Sequence, residues 1–470
     1  MRTKKSIELN DFSPSKLVSE MFYNYNPSVE LKNTMGVNVA KFPILSGMPN
    51  TLELNIAGLE VESVEGIAYF KQYFANSGDT IHRLLVYCND KKLYLNELLD
   101  GSTNLYWLYE LTFNSPPIAL AFKIGDNDAI ILAGNDKMVI WETNFSPYTV
   151  TNAPIITSMC MNEGALFCTL VEPAFKIWYA TDLKAENIGK LDSNSGYIVL
   201  ADDLGYARKI VTYDESVYVF RDYGISKINN VKGEMSVSQV YLSRTKIFTN
   251  TVAICGNIIL FLTKDGLYSF NGVKVTRTNI DISKFLPTEN NYAVGSSLGN
   301  YYYLALKLDM KDGKQMLCEA GEYKNNTLIV VDINSYDYQI IRGVDIKTLL
   351  PVMAEDFESM LLTFNSVYTD KVGQVISTPC IFTNDLEKLW TSAELTKNFN
   401  NKLFTHLTVT ADENIKFKLI HDAGETSFTT YQTGKNEFCF KIMSNTLKLE
   451  ISSPSSSGEV KRVLIDYYEY

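Results

Sequence analysis

Paired apolar segments separated by short polar turns constrain this chain more than any other feature. The clearest pair lies within residues 257–270, where Ile-Ile-Leu-Phe-Leu-Thr and Leu-Tyr-Ser-Phe flank Lys264-Asp265-Gly266. The pattern predicts an antiparallel hairpin, because Gly266 tolerates the positive φ of a tight connection and aromatic side chains fit a pleated surface. One hairpin cannot bury both of its faces, so it needs neighbours.

The same form recurs at residues 84–88 with 92–95, 129–133 with 137–141, 165–170 with 175–179, 216–220 with 224–228, 301–306 with 328–331, and 360–364 with 374–376. Successive pairs start roughly 35 to 60 residues apart, the span of one four-stranded blade, and about seven can be counted. Runs such as 118–122 and 207–211 precede two of the pairs and supply further strands. Packing such units radially turns each exposed face into core. The expected fold is therefore all-β, with a β-propeller of about six to eight blades over residues 60–386. A large irregular sandwich or a β-solenoid is the competing architecture, although solenoid coils are shorter and more regular.

The flanks read differently. Residues 1–59 contain Pro14, Pro27, Pro43 and Pro49 and too few clustered apolar residues for a core, and are expected to form an extended N-terminal arm lying on another surface. Residues 384–397 suggest a short helical connector. Beyond Lys402, segments such as 415–419, 438–442 and 447–451 alternate apolar with polar, the pattern of strands with one buried face. A C-terminal β-sandwich is placed at residues 387–470.

Composition narrows the function classes. A chain of 470 residues exceeds one ordinary core, which a repeating architecture accommodates. Aromatic residues make up 12%, with 29 Tyr and 24 Phe, in keeping with strands. A net charge of −11 argues against a general phosphate-binding surface and against sequence-specific nucleic-acid binding, leaving room only for a local basic patch. The seven cysteines, Cys88, Cys160, Cys168, Cys255, Cys318, Cys380 and Cys439, are odd in number, form no CxxC pair and sit mostly in apolar runs. Buried free thiols in a reducing compartment are expected, with no zinc ribbon. The basic residues after Met1 are followed by no apolar core of a signal peptide, and no stretch has the length of a membrane helix. A protein made in the cytoplasm, with no membrane span, is expected.

Catalytic signals are sparse. His82, His406 and His421 are too few for a recurring ligand pattern, and no nucleophile elbow, HExxH, Walker loop or dinucleotide fingerprint is present. Propeller glycosidases work with two carboxylates at a fixed separation, so Asp126-Asn127-Asp128, Asp202-Asp203 and Glu355-Asp356 are candidates. All three lie at expected turns, where Asp and Asn serve the backbone. Asp126-Asn127-Asp128 also suggests calcium but lacks the Gly and distal Glu of an EF-hand loop. Tyr301-Tyr302-Tyr303 and Tyr467-Tyr468-Glu469-Tyr470 place some rings in core and others on contact surfaces. No catalytic, cofactor-binding or metal residue is assigned, and no enzyme is expected.

The segment Phe175-Lys176-Ile177-Trp178-Tyr179-Ala180-Thr181-Asp182-Leu183, with Asn187-Ile188, resembles a segment of β-propeller structural proteins of tailed bacteriophages, the tail nozzle and head-to-tail stabilisation types. Gly196-Tyr197-Ile198, residues 210–227 and Phe22-Tyr23-Asn24-Tyr25-Asn26 continue the likeness, which spans about half the chain and carries no catalytic residues. It implies a virion structural protein, assembling as a homo-oligomeric ring in the tail or neck with other tail or portal-associated proteins. Strand addition by the arm and a second interface on the sandwich suit such assembly. The alternative is a carbohydrate-binding or glycoside-hydrolase propeller with an accessory sandwich, motivated by the aromatics and acidic turns.

Overall fold

The computed structural model describes residues 3–13, 34–35, 41–42, 44–46, 52–54, 64–74, 77–97, 106–124, 127–143, 145–181, 194–229, 231, 233–280, 282–309, 323–342, 345–354, 357–365, 372–376, 388–392, 394–396, 400–453 and 458–470. Four strands precede the repeating part: β1 (Lys4–Leu9), β2 (Thr34–Met35), β3 (Leu45–Ser46) and β4 (Leu52–Leu54). The first blade holds β5 (Val64–Phe74), β6 (Asp79–Cys88), β7 (Lys92–Glu97) and β8 (Tyr106–Thr112). The second holds β9 (Ile118–Ile124), β10 (Asn127–Ala133), β11 (Met138–Glu142) and β12 (Tyr148–Thr149). The third holds β13 (Ile156–Asn162), β14 (Ala165–Leu170), β15 (Lys176–Ala180) and β16 (Ser195–Val199). The fourth holds β17 (Ala207–Tyr213), β18 (Ser216–Arg221), β19 (Gly224–Asn229) and β20 (Ser236–Leu242). The fifth holds β21 (Ile247–Cys255), β22 (Ile258–Thr263), β23 (Gly266–Phe270) and β24 (Val275–Arg277). The sixth holds β25 (Val294–Leu298), β26 (Tyr301–Leu306), β27 (Thr327–Asp332) and β28 (Tyr338–Arg342).

Three strands, β29 (Ile346–Ala354), β30 (Phe357–Phe364) and β31 (Val372–Ile376), begin the seventh blade, and its fourth comes from the start of the chain. There β4 pairs antiparallel with β31, placing Glu53 opposite Gly373. The innermost strands β5, β9, β13, β17, β21, β25 and β29 neighbour one another in that order, and β29 returns to β5, so the ring closes. The protein is a seven-bladed β-propeller with a β-sandwich attached.

The hairpins visible in the sequence are the two middle strands of each blade. Gly266 opens β23 with φ +132°, as the tight connection requires. Each blade is packed between two others, so its middle strands are buried on both faces: every residue of β14 is buried. For the same reason the neighbours Tyr302 and Tyr303 are both core, Tyr302 facing the fifth blade and Tyr303 the seventh. One apolar cluster fills each gap between blades, exemplified by Phe70 against Trp141 between the first and second.

The sandwich follows with β32 (Lys388–Thr391), β33 (Lys402–Ala411), β34 (Lys416–His421), β35 (Gly424–Thr429), β36 (Gly434–Ser444), β37 (Leu447–Ser453) and β38 (Glu459–Glu469). One of its sheets has the order β1-β38-β33-β36, with β3 also on β38; the other runs β32-β37-β34-β35. The expected helical connector is corrected at residues 388–391, which form β32: the Trp390 indole is fully buried there. The residues expected as an arm thus supply strands to both domains. Their most consequential piece is β2, which pairs in parallel with β28 through Met35 and Ile340 and antiparallel with β32. The sixth blade and one sandwich sheet thereby form a single nine-stranded sheet.

Candidate functional site

A groove of about 650 Å3 lies beside the outermost strands of the third and fourth blades, β16 and β20. Tyr179, Tyr197 and Val199 line it from the third blade, Met235 and Val237 from the fourth, and Asp202 and Glu234 add carboxylates. Gly196 pairs with Tyr179 across the ladder. A Cβ at Gly196 would come 2.9 Å from the Tyr179 hydroxyl, so the missing side chain lets the phenol lie across β16. Tyr197 and Val199 are 41% and 52% exposed. The Lys176 ammonium stands 5.4 Å from the Tyr197 ring centroid and 5.8 Å from that of Phe175, within cation–π range of both.

Beside this groove, Arg221 is buried to 1% exposure and is tied to Asp202. Its Nε and Nη2 donate to the Gly205 carbonyl at 3.0 and 2.6 Å, and the Leu204 amide donates to Asp202 Oδ1 at 3.1 Å. Asp202 therefore anchors the connection between β16 and β17. Stacking surfaces beside carboxylates suit a neutral, hydrogen-bonding ligand such as a sugar or an extended peptide.

The remaining sequence candidates are scattered. Asn127 donates to Glu142 at 2.7 Å, Asp128 stands 3.9 Å from the Lys123 ammonium, and Asp126, Glu355 and Asp356 lie outside the described residues. His82 is buried in the first blade, hydrogen-bonded to the Tyr69 hydroxyl and stacked on its ring. His406 and His421 sit in different sheets of the sandwich, against Thr405 and Thr426. No group of three His, Cys, Asp or Glu side chains among the described residues is arranged to hold a metal. Cys88, Cys160, Cys168 and Cys255 are buried, and burial pushes the thiols of Cys160 and Cys255 up to about 12 and that of Cys168 well above its usual value. Cys439 departs from the expected burial because β36 is an edge strand whose odd-numbered residues face out. Cys318 and Cys380 lie outside the described residues. Arg221 was the residue sequence reasoning missed; its signal is a charge closing the apolar run Val217-Tyr218-Val219-Phe220.

No family model matches the chain, and no curated protein matches it. Among solved structures it is similar to BBS1N, from a complex with ARL6DN, at 13% identity and TM-score 0.43, covering 67% of this chain and 96% of that one. It is also similar to the AfRom2 CNH domain, at 10% identity and TM-score 0.42, over 70% of this chain and 99% of that one. Hsv2 of Kluyveromyces lactis is a further likeness, at 10% identity and TM-score 0.35, over 55% and 81%. Resemblance at this level assigns neither family nor function; the propeller is established by its own strand order. Among the described residues no helix is long and apolar enough to cross a membrane.

Proposed function

We propose that this chain is a non-enzymatic structural subunit, specifically a virion protein of a tailed phage or phage-like particle. In this reading it is made in the host cytoplasm and assembles as a ring in the tail or neck with other virion proteins. The observation that supports a structural role is the seam at β2, where propeller and sandwich share one nine-stranded sheet. Domains joined by a linker move relative to each other, whereas a shared ladder holds them as one body that transmits load. Molar mass by light scattering, with electron microscopy of the same fractions, tests it. A closed ring of several copies is the expected result; a monomer that also fails to bind tail or neck proteins overturns it.

The groove favours a second reading, a glycan-binding propeller, because Tyr179 and Tyr197 offer stacking faces beside Asp202 and Glu234. Binding to an oligosaccharide array that is lost in Tyr197→Ala would support it. Hydrolysis of a bound oligosaccharide that is lost on replacing Glu234, a carboxylate of the groove, would make it an enzyme.

A further inference from the structure

The outer edge of the third blade is open and unprotected. Among the described strands, β16 pairs with β15 alone. Within that ladder the Thr181 amide donates to the Asn194 carbonyl at 2.7 Å, and the Leu200 amide donates to the Phe175 carbonyl at 2.9 Å. Hydrogen-bonded pairs alternate along an antiparallel ladder, so Gly196 and Ile198 turn their main-chain groups toward β15, while those of Tyr197 and Val199 point away from it in the plane of the sheet. Natural edge strands are blunted by charge, proline or shortness, and β16 (Ser-Gly-Tyr-Ile-Val) and β20 (Ser-Val-Ser-Gln-Val-Tyr-Leu) carry neither charge nor proline. By contrast, β24 ends on Arg277, β35 holds Glu425, and β36 holds Lys435, Glu437 and Lys441.

The groove of about 650 Å3 runs along this edge. Tyr197, Ile198 and Val199 all line it, and successive strand residues point to opposite faces, so the space they share lies at the margin of the strand and not over one face. Met235 and Val237 form the wall across from them. The charged residues that line the groove are both acids: Glu234 is exposed, and Asp202 keeps 36% side-chain exposure although it is tied to Arg221. The protein already completes blade margins by strand addition, with β2 on the outer edge of β28 and β4 on that of β31.

We propose that β16 is the docking edge for an extended segment of another protein, which adds to the third blade as a fifth strand. Main-chain hydrogen bonds to Tyr197 and Val199 hold the segment, alternate apolar side chains enter the groove against Met235 and Val237, and a lysine or arginine meets Glu234 and Asp202. The same carboxylates disfavour an acidic segment. The site goes beyond the ring and glycan readings and depends on neither: a glycan needs the Tyr197 ring, whereas an added strand needs the Val199 amide.

The test uses the full-length chain and a fluorescent peptide, Arg-Val-Thr-Val-Thr-Val-Thr, beside a copy with Glu for Arg and two copies N-methylated at alternate residues, one in each frame. Saturable binding by anisotropy is expected for the arginine peptide, weaker binding for the glutamate copy, and loss of binding in one methylated frame only, since a strand bonds its neighbour through every second residue. In the free chain the amides of Tyr197 and Val199 should exchange hydrogen faster than those of Gly196 and Ile198, and the peptide should slow the first two. Val199→Pro removes an outward amide without touching a bond to β15 and should weaken binding about tenfold. No binding of the arginine peptide, tighter binding of the glutamate copy, equal binding of the two methylated copies, slow exchange at Tyr197 and Val199 in the free chain, or undiminished binding by Val199→Pro each overturns the site. Where Val199→Pro fails to fold, the exchange rates and the methylated peptides decide on the unaltered chain.

Discussion

The indole Nε1 of Trp390 donates a hydrogen bond of 3.0 Å to the carbonyl oxygen of Phe12, and the two rings meet edge to face with centroids 5.2 Å apart. These residues are 378 positions apart in the chain, and both are fully buried in the sandwich core. The beginning of the chain is therefore part of the core of its final domain.

Phe12→Ala should cost about 3–5 kcal/mol, the usual range for deleting a buried phenyl group and leaving a cavity. Trp390→Phe keeps an aromatic ring but leaves the Phe12 carbonyl without its donor, for about 1–3 kcal/mol. Urea unfolding followed by circular dichroism checks both. A Phe12→Ala protein as stable as the unaltered chain would show that the N-terminal strand is dispensable to the core.

Breaking the pair between Asp202 and Arg221 from its two ends should have unequal effects. Asp202→Ala leaves a buried guanidinium with only the main-chain carbonyls of Gly205 and residue 202, and about 1–3 kcal/mol is expected, moderated because the Asp202 carboxylate is partly exposed. Arg221→Met removes the charge and refills the space with apolar atoms but takes both side-chain donors from the Gly205 carbonyl, and should cost about 1 kcal/mol, less than Asp202→Ala. Equilibrium unfolding of the two variants gives the order; the reverse order would mean that Arg221 is not held by this pair.

Acid should weaken the junction between β1 and β38. Burial raises the Asp466 carboxyl, but hydrogen bonds from Lys4 and Ser6 and the charge of Lys4 outweigh it, leaving the group below its usual value. A carboxyl lowered by folding adds stability that is complete above its unfolded value and disappears as pH falls through its folded value. The loss therefore begins near pH 4, the unfolded value being about 3.9, and deepens below it. Denaturation midpoints of the unaltered chain and Asp466→Asn should converge as the pH drops through this window and differ at neutral pH.

Thiol chemistry should separate the cysteines by burial. Cys88, Cys160, Cys168 and Cys255 are expected to react with a disulfide reagent only on unfolding, since each is buried and the thiolate is the reactive form. Cys439 should react in the native protein, and Cys439→Ser should remove that fast phase. Stopped-flow labelling with mass mapping tests this; rapid labelling of Cys168 in native protein would contradict its burial.

Much of the architecture was written locally. Each middle hairpin joins strands only a few residues apart through a turn, so apolar runs and turn residues suffice to mark it, as at β22 and β23. The alternation in β37, whose odd-numbered residues are all buried, likewise announces a strand with one covered face. From these, the sequence by itself determined an all-β chain of repeated hairpins ending in a sandwich. Only the tertiary structure decided that β4 completes the seventh blade, that β2 joins the two domains, and that Arg221 finds Asp202. Very short strands such as β2 and β4 carry too few side chains to show a period, and they are fixed by backbone hydrogen bonds to partners hundreds of residues away.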